Sequence, residues 1–303
     1  MFKKIVLATS PFFWAAIALP AIVMAASLFE GFSPPLKFKQ PGDPQRPGLW
    51  LINDGDFKNG SFQYYKRCGD SSCINRKEEE INNVKTNYLS MVMYHDETPG
   101  NYINMEASEL QTGYVFGQGY EDTYPELGRP VTVSARMRCS NCNFDGSGGQ
   151  IGSWGLWLWN SYPEIQPDGT FGGGNPINSI GFAWAQEGGV LPGGLNIEVF
   201  KDNLPVYFVP LSYFMPPINL RDWHDYSFTW TIDSSSIESV AYYIDGTLVG
   251  QTTIPGNMPA LSQTIWHDNQ LVTGFDQNGR PLTALVNPEL PQALEIDFVS
   301  VSQ

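Results

Sequence analysis

One stretch, Trp223 to Gln251, restricts the fold more than any other part of the chain. Tyr226, Phe228 and Trp230 alternate with Asp225, Ser227 and Thr229, the two-residue period of a strand with one buried face. Asp233-Ser234-Ser235-Ser236 turns the chain, and Val240, Tyr242 and Ile244 resume the same period. Asp245-Gly246 then signals a tight hairpin, because glycine accepts the positive φ that a two-residue turn needs. Thr247-Leu248-Val249 begins the return strand. Two linked hairpins in one short stretch predict an antiparallel all-β domain.

The rest of the chain agrees with that expectation. Its 303 residues include 30 glycines and 23 prolines and are 14% aromatic, a composition suited to many short strands joined by turns, as in a β-sandwich. Lys3 and Lys4 precede an almost unbroken apolar run from Ile5 to Ala26, and Val23-Met24-Ala25-Ala26 supplies the small residues of a signal-peptidase site. Residues 1–26 are expected to be a signal peptide or, since about 20 apolar residues span a bilayer, a membrane anchor. Either way the folded part is exported: secreted, periplasmic or held at the cell surface. Removing 1–26 takes away two of the 17 basic residues and none of the 31 acidic ones, leaving a formal charge of −16. That charge argues against nucleic acid and anionic membrane surfaces as partners and is indifferent to a neutral glycan.

Four cysteines, Cys68, Cys73, Cys139 and Cys142, are expected to form two disulfides in an oxidising compartment. Local pairing is the simplest of three connectivities. The Cys139-x-x-Cys142 spacing would also suit a zinc site, which the compartment disfavours. Residues 27–48 read as a proline-rich linker, with Pro34, Pro35, Pro41, Pro44 and Pro47 denying it ladder hydrogen bonds. Residues 49–303 then form one domain. Within it, residues 66–86 read as a polar loop or short helix containing Glu78-Glu79-Glu80. Strands are expected at Tyr88–Tyr94, Gly113–Phe116, Val131–Arg138, Gly152–Asn160, Asn178–Gln186, Leu195–Phe200, Val206–Leu211, Leu261–Trp266 and Leu294–Val301.

Several of these segments, in order, resemble the concanavalin A-like jelly roll, and within it the family-16 glycoside hydrolases, the laminarinases and lichenases. Gly152-Ser153-Trp154-Gly155-Leu156-Trp157-Leu158 is similar to their G-x-W-P-A-x-W-L strand, and Trp223-His224-Asp225-Tyr226 through Trp230 to their W-H-x-Y-x-x-x-W strand. Tyr242-Tyr243-Ile244-Asp245-Gly246 is similar to their W-Y-V-D-G hairpin, and Glu295 to Val301 to their closing D-Y-V-R-V strand. The resemblance implies a two-sheet antiparallel jelly-roll sandwich with a sugar-binding cleft on one sheet. It also implies that the strand after the G-x-W-P strand should carry E-[ILV]-D-x-(x)-E. Here that strand has Ser179, Gly181 and Ala183 or Trp184 at those positions, so the acids of a retaining mechanism are missing. Glu164 with Asp168, Glu187, and Glu295 with Asp297 are the other acids considered, and none forms the required pair on that strand.

What the chain retains suits binding. Trp157 and Trp159 project opposite to Leu156 and Leu158 and are expected to stack on sugar rings, unless they fill the core instead. Trp184 joins them as a carbohydrate-binding candidate. His267, Asp268 and Asn269, directly after a strand, offer directional hydrogen bonds or form a polar strand end. His224 matches the resembled W-H-x-Y strand, with a packing role implied, and no H-x-x-x-H pair suggests zinc. The resemblance implies a structural Ca²⁺ at Asp297, with Asn53 or Gly55 as partners; no cofactor is required. The sequence therefore predicts an exported glycan-binding protein without catalytic residues. The alternatives are a glycoside hydrolase with a rearranged acid pair and a surface structural or adhesion protein.

Overall fold

A computed structural model describes residues 27–30, 51–52, 58–59, 62–63, 74–81, 84–93, 107–111, 123–147, 152–160, 176–277, 281–286 and 292–303. In chain order the strands are β1 Ser27–Glu30, β2 Leu51–Ile52, β3 Lys58–Asn59, β4 Phe62–Gln63, β5 Ile74–Ile81, β6 Val84–Met93, β7 Ala107–Gln111, β8 Val131–Cys139, β9 Ser153–Asn160 and β10 Asn178–Ala185. They continue with β11 Gly194–Lys201, β12 Leu204–Pro210, β13 His224–Ile232, β14 Glu238–Ile244, β15 Thr247–Ile254, β16 Ser262–Asp268, β17 Gln270–Phe275, β18 Pro281–Leu285 and β19 Gln292–Ser302. Two antiparallel sheets dominate. One runs β15-β14-β13-β8-β19-β6-β5, with β1 also pairing β19; the other runs β12-β11-β10-β9-β16-β7-β2. Among the described residues no helix is long and apolar enough to cross a membrane.

The hairpins expected from Trp223–Gln251 are β13, β14 and β15. Asp233 Oδ1 closes the first turn by accepting from the backbone N–H groups of Ser235 and Ile237 at 2.8 and 2.9 Å. The second turn needs left-handed backbone at both central residues, and Asp245 (φ 50°) and Gly246 (φ 73°) supply it. Alternation then delivers Tyr226, Phe228, Trp230, Val240 and Tyr242 to one side, where they meet Trp154, Leu156, Leu158, Ile180, Phe182 and Trp184 from the other sheet. The Phe182 ring packs edge-on against Tyr226 and Tyr242, at centroid distances of 5.4 and 5.5 Å. Such contacts add about 0.5–1.5 kcal/mol beyond burial itself. At one end of this core, Glu238 is buried and fully served. It accepts from Trp230 Nε1 at 2.9 Å, Tyr124 Oη at 2.9 Å and the Met258 N–H at 3.0 Å.

Two expectations change. Residues 74–81 and 84–86 are not loop or helix but belong to the paired strands β5 and β6. Their charges hid the strand, because β5 is a sheet edge that faces water. Exposed Arg76, Lys77, Glu78 and Glu80 discourage further strand addition there, and Lys85 pairs Glu78 at 2.9 Å. The linker is also shorter at its start. Ser27–Glu30, which contains no proline, pairs with Val299–Ser302 of β19. Cys139 and Cys142 form the local disulfide expected of them, which takes them out of a zinc site. Cys68, Cys73, the 113–116 strand, the remainder of the linker and the 1–26 segment lie outside the described residues.

Candidate functional site

The seven-stranded sheet has an inner face in the core and an outer face, and register assigns each residue to one of them. Across β16, β9, β10, β11 and β12, one outer row reads Thr264, Trp157, Gly181, Glu198 and Phe208. On one side of it lies the row Ser262, Trp159, Ser179 and Phe200. On the other lies Trp266, Gly155, Ala183 and Asn196, and beyond that Asp268, Ser153, Ala185 and Gly194.

Two glycines make this face an indole surface. A Cβ on Gly155 would fall within the Trp266 ring, and one on Gly181 would collide with the Leu156 carbonyl and come within 2.5 Å of Trp157 Cδ1. The Trp266 ring therefore occupies the space of a Gly155 side chain, and Trp157 reaches over Gly181. Their centroids are 3.4 Å apart at 40°, and Trp159 meets Trp157 edge-on at 5.3 Å. Trp266 Nε1 donates to Ser153 Oγ at 3.1 Å, and Ser153 Oγ donates to Asp268 Oδ1 at 2.9 Å. The Trp157 and Trp159 ring N–H groups and the Thr264 hydroxyl are buried with no hydrogen-bond partner among the described residues. Buried polar atoms in that state call for an explanation, which a ligand can supply.

Glu198 is the one carboxyl in the central row. It is 2% exposed, and Ser179 Oγ, donating at 3.2 Å, is its side chain's only hydrogen-bond partner among the described residues. Burial pushes its pKa up to about 8, with the Ser179 hydrogen bond opposing. The carboxyl is therefore neutral at pH 7. The sequence search missed it by keeping to the neighbouring strand. The available signal was an acid at an outward position of Leu195–Phe200, between Ile197 and Val199.

Of the carbohydrate-binding candidates, Trp157, Trp159 and Asp268 share the outer face. Trp184 does not. It is 0% exposed in the core, and its Nε1 donates to the Asn143 carbonyl at 2.8 Å, because it shares parity with Ile180 and Phe182. His267 is likewise turned inward, with Nδ1 3.1 Å from the Met91 carbonyl and burial lowering its pKa to about 4. Asn269 is buried past the strand end, its carbonyl accepting from the Val286 N–H at 2.9 Å.

The remaining acids lie apart from this face. Glu187 is exposed in the turn after β10, and Glu164 and Asp168 lie outside the described residues. Glu295 pairs Arg138 at 2.6 Å and Lys77 at 3.2 Å on the other sheet. Asp297 lies 3.6 Å from Arg136; burial raises its pKa, Arg136 opposes and Asp225 adds to the rise. No group of three potential metal ligands occurs among the described residues, and Asn53 and Gly55 lie outside them. His224 ties its turn, with Nδ1 2.7 Å from Asp245 Oδ2 and Nε2 3.1 Å from the Asn219 carbonyl.

Strand geometry sets what the outer face can do. Glu198 and Asp268 are three strands and four residues apart, about 20 Å from spacing and rise. Glycosidases need their carboxyls about 5–5.5 Å apart for retention or about 6.5–9.5 Å for inversion. No such pair exists on this face among residues with described side chains.

No family model matches the chain, and no curated protein matches it in sequence. Solved structures do match. One comes from work on endo-acting O-glycanases with which prominent members of the human gut microbiota initiate mucin breakdown. It aligns at TM-score 0.50 and 13% identity, over 91% of this chain and 98% of that one. A β-1,3-1,4-glucanase (lichenase) from a mouse hindgut metagenome aligns at 0.46 and 16%, and the β-glucanase of Bacillus licheniformis at 0.45 and 15%, each over 91% of this chain and 98% of the other. Identities this low speak to fold alone. The two-sheet antiparallel order and the first of these alignments agree that the chain folds as a concanavalin A-like jelly-roll sandwich.

Proposed function

We propose that this protein is exported and binds a glycan on the outer face of its seven-stranded sheet without cleaving it. One observation carries the reading: Trp157 reaches over Gly181 and packs on the buried Trp266, whose ring covers Gly155, with Trp159 edge-on beside it. A sugar ring docks its apolar C–H face on such a surface, and neighbouring donors fix its hydroxyls. The Trp157 indole covers Gly181, a position where the resembled hydrolases carry an acid, so the same substitution that removes the acid makes room for the ring.

Solved structures of this fold include the O-glycanases of the gut microbiota, which makes a polymer of sugars the ligand class to try first. The Cys139–Cys142 disulfide supports an oxidising, extracytoplasmic location. A structural Ca²⁺ at Asp297 is proposed as an accessory to the fold, with no part in binding.

The test is a panel of soluble β-1,3- and mixed-linkage glucans and mucin glycopeptides, with binding and reducing-sugar release measured together. Retention of at least one glycan with no release of reducing ends is expected. Release that depends on the protein would establish a hydrolase instead, and failure to bind any glycan would favour a structural or adhesive role.

A further inference from the structure

Glu198 differs from the other buried glutamates, Glu295, which pairs Arg138 and Lys77, and Glu238. Glu238 accepts three hydrogen bonds, from Trp230, Tyr124 and Met258, whereas among the described residues the Glu198 side chain has Ser179 alone. The strands around it supply no countercharge. Ser179 and Gly181 face it from β10, Phe208 from β12, and Trp157 and Trp159 stand beyond on β9. No Lys or Arg occurs in β9, β10, β12 or β16, and Lys201 at the end of β11 donates to the Pro255 carbonyl at 2.7 Å. The nearby phenols lie on the core side: Tyr242 Oη donates to the Glu198 backbone carbonyl at 2.6 Å, and Tyr207 packs against the core cluster. An ionised carboxylate buried with one hydroxyl donor and no cation is costly, whereas a protonated carboxyl is a hydrogen-bond donor.

We infer that Glu198 serves the glycan site as a neutral carboxyl donating to an acceptor oxygen of an uncharged sugar, and that its ionisation at alkaline pH turns binding off. This rests on the glycan-binding reading and adds to it a specificity-determining donor and a pH gate. The raised pKa, about 8, agrees with the geometry and dates the transition. Only the neutral fraction is competent, so apparent affinity falls in proportion to it. At pH 9.5 that fraction is about 3% of the total, a loss of about thirty-fold relative to pH 6.5. The absence of cations on the central strands, with a net charge of −14, disfavours sulfated or uronate-rich glycans, which arginine and lysine ordinarily recognise.

Binding of the full chain to the best-retained neutral glycan is measured at pH 6.5 and 9.5, with carrageenan as the sulfated control. Wild type should bind about thirty-fold more weakly at pH 9.5 and should not retain carrageenan. Glu198→Gln, whose amide keeps a donor at every pH, should abolish the pH dependence, and its melting temperature at each pH reports on folding. Equal wild-type affinity at both pH values, or the same fall in Glu198→Gln, overturns the gate and leaves glycan binding standing. Retention of carrageenan as strong as that of the neutral glycan overturns the ligand class. If wild type binds no glycan at pH 6.5, the underlying reading fails and the gate fails with it.

Discussion

The two faces of the seven-stranded sheet are built from the same kinds of residue and pack differently. Inside, Trp154 and Trp184 are sealed among Phe182, Tyr226 and Tyr242. Outside, Trp157, Trp159 and Trp266 pack mainly on one another and on glycine backbone. Each face also holds one buried ionisable side chain in its neutral form, His267 within and Glu198 without. Strand parity, not residue type, decides which indole points into the core and which stands on the outer face.

The two buried ionisable groups give the largest expected effects, and the effects have opposite signs. Glu198 keeps its proton in the folded chain up to about pH 8, against an ordinary value of 4.5. The unfolded chain loses that proton earlier, so stability falls as pH rises from about 4.5 to about 8, by up to about 5 kcal/mol. His267 titrates at about 4 in the folded chain, against 6.5 ordinarily. The unfolded chain gains its proton first, so stability falls as pH drops from about 6.5 to about 4, by up to about 3 kcal/mol. Urea unfolding of wild type and Glu198→Gln across pH 4 to 9 separates them. The variant should lose the alkaline fall and keep the acid one; an unchanged alkaline fall would remove Glu198 as its cause.

Truncating the rings sharpens the contrast between faces. Trp184→Ala empties a sealed core position and should cost about 3–5 kcal/mol, read as a fall in melting temperature. Trp157→Ala should cost clearly less, because its ring is half-buried and rests over Gly181. Equal costs would mean that the outer indoles are a second core. Gly155→Ala tests the platform itself. The new methyl group must displace the Trp266 ring, so a destabilisation of about 1–3 kcal/mol and a shift in tryptophan emission are expected.

Much of the fold was legible in the sequence because strands with one strongly apolar face write their two-residue period openly, even where both faces are buried, as in β10 and β16. β8, β9, β10 and β13 through β16 all follow segments read from alternation and turn residues. β5 was not legible, because an edge strand can carry Arg76, Lys77, Glu78 and Glu80 in succession and lose the pattern. β1 was masked by the prolines that follow it. The candidate site was half legible. Parity placed Trp157 and Trp159 correctly with respect to the leucines, and the same rule, applied to Trp184 beside Phe182 or to His267 beside Ile265, would have sent both inward. Glu198 depended on strand pairing. Nothing local to Leu195–Phe200 shows that its acid stands opposite Gly181, because that proximity is a fact of register between strands.

The most direct measurement of the central claim is the affinity of wild type and of Trp157→Ala/Trp159→Ala for the best-retained glycan at pH 6.5, by titration calorimetry. Removing two stacking indoles at a desolvated site should weaken binding at least about tenfold, with the double variant still folded by its melting transition. Unchanged affinity in a folded double variant would contradict the outer face as the glycan site.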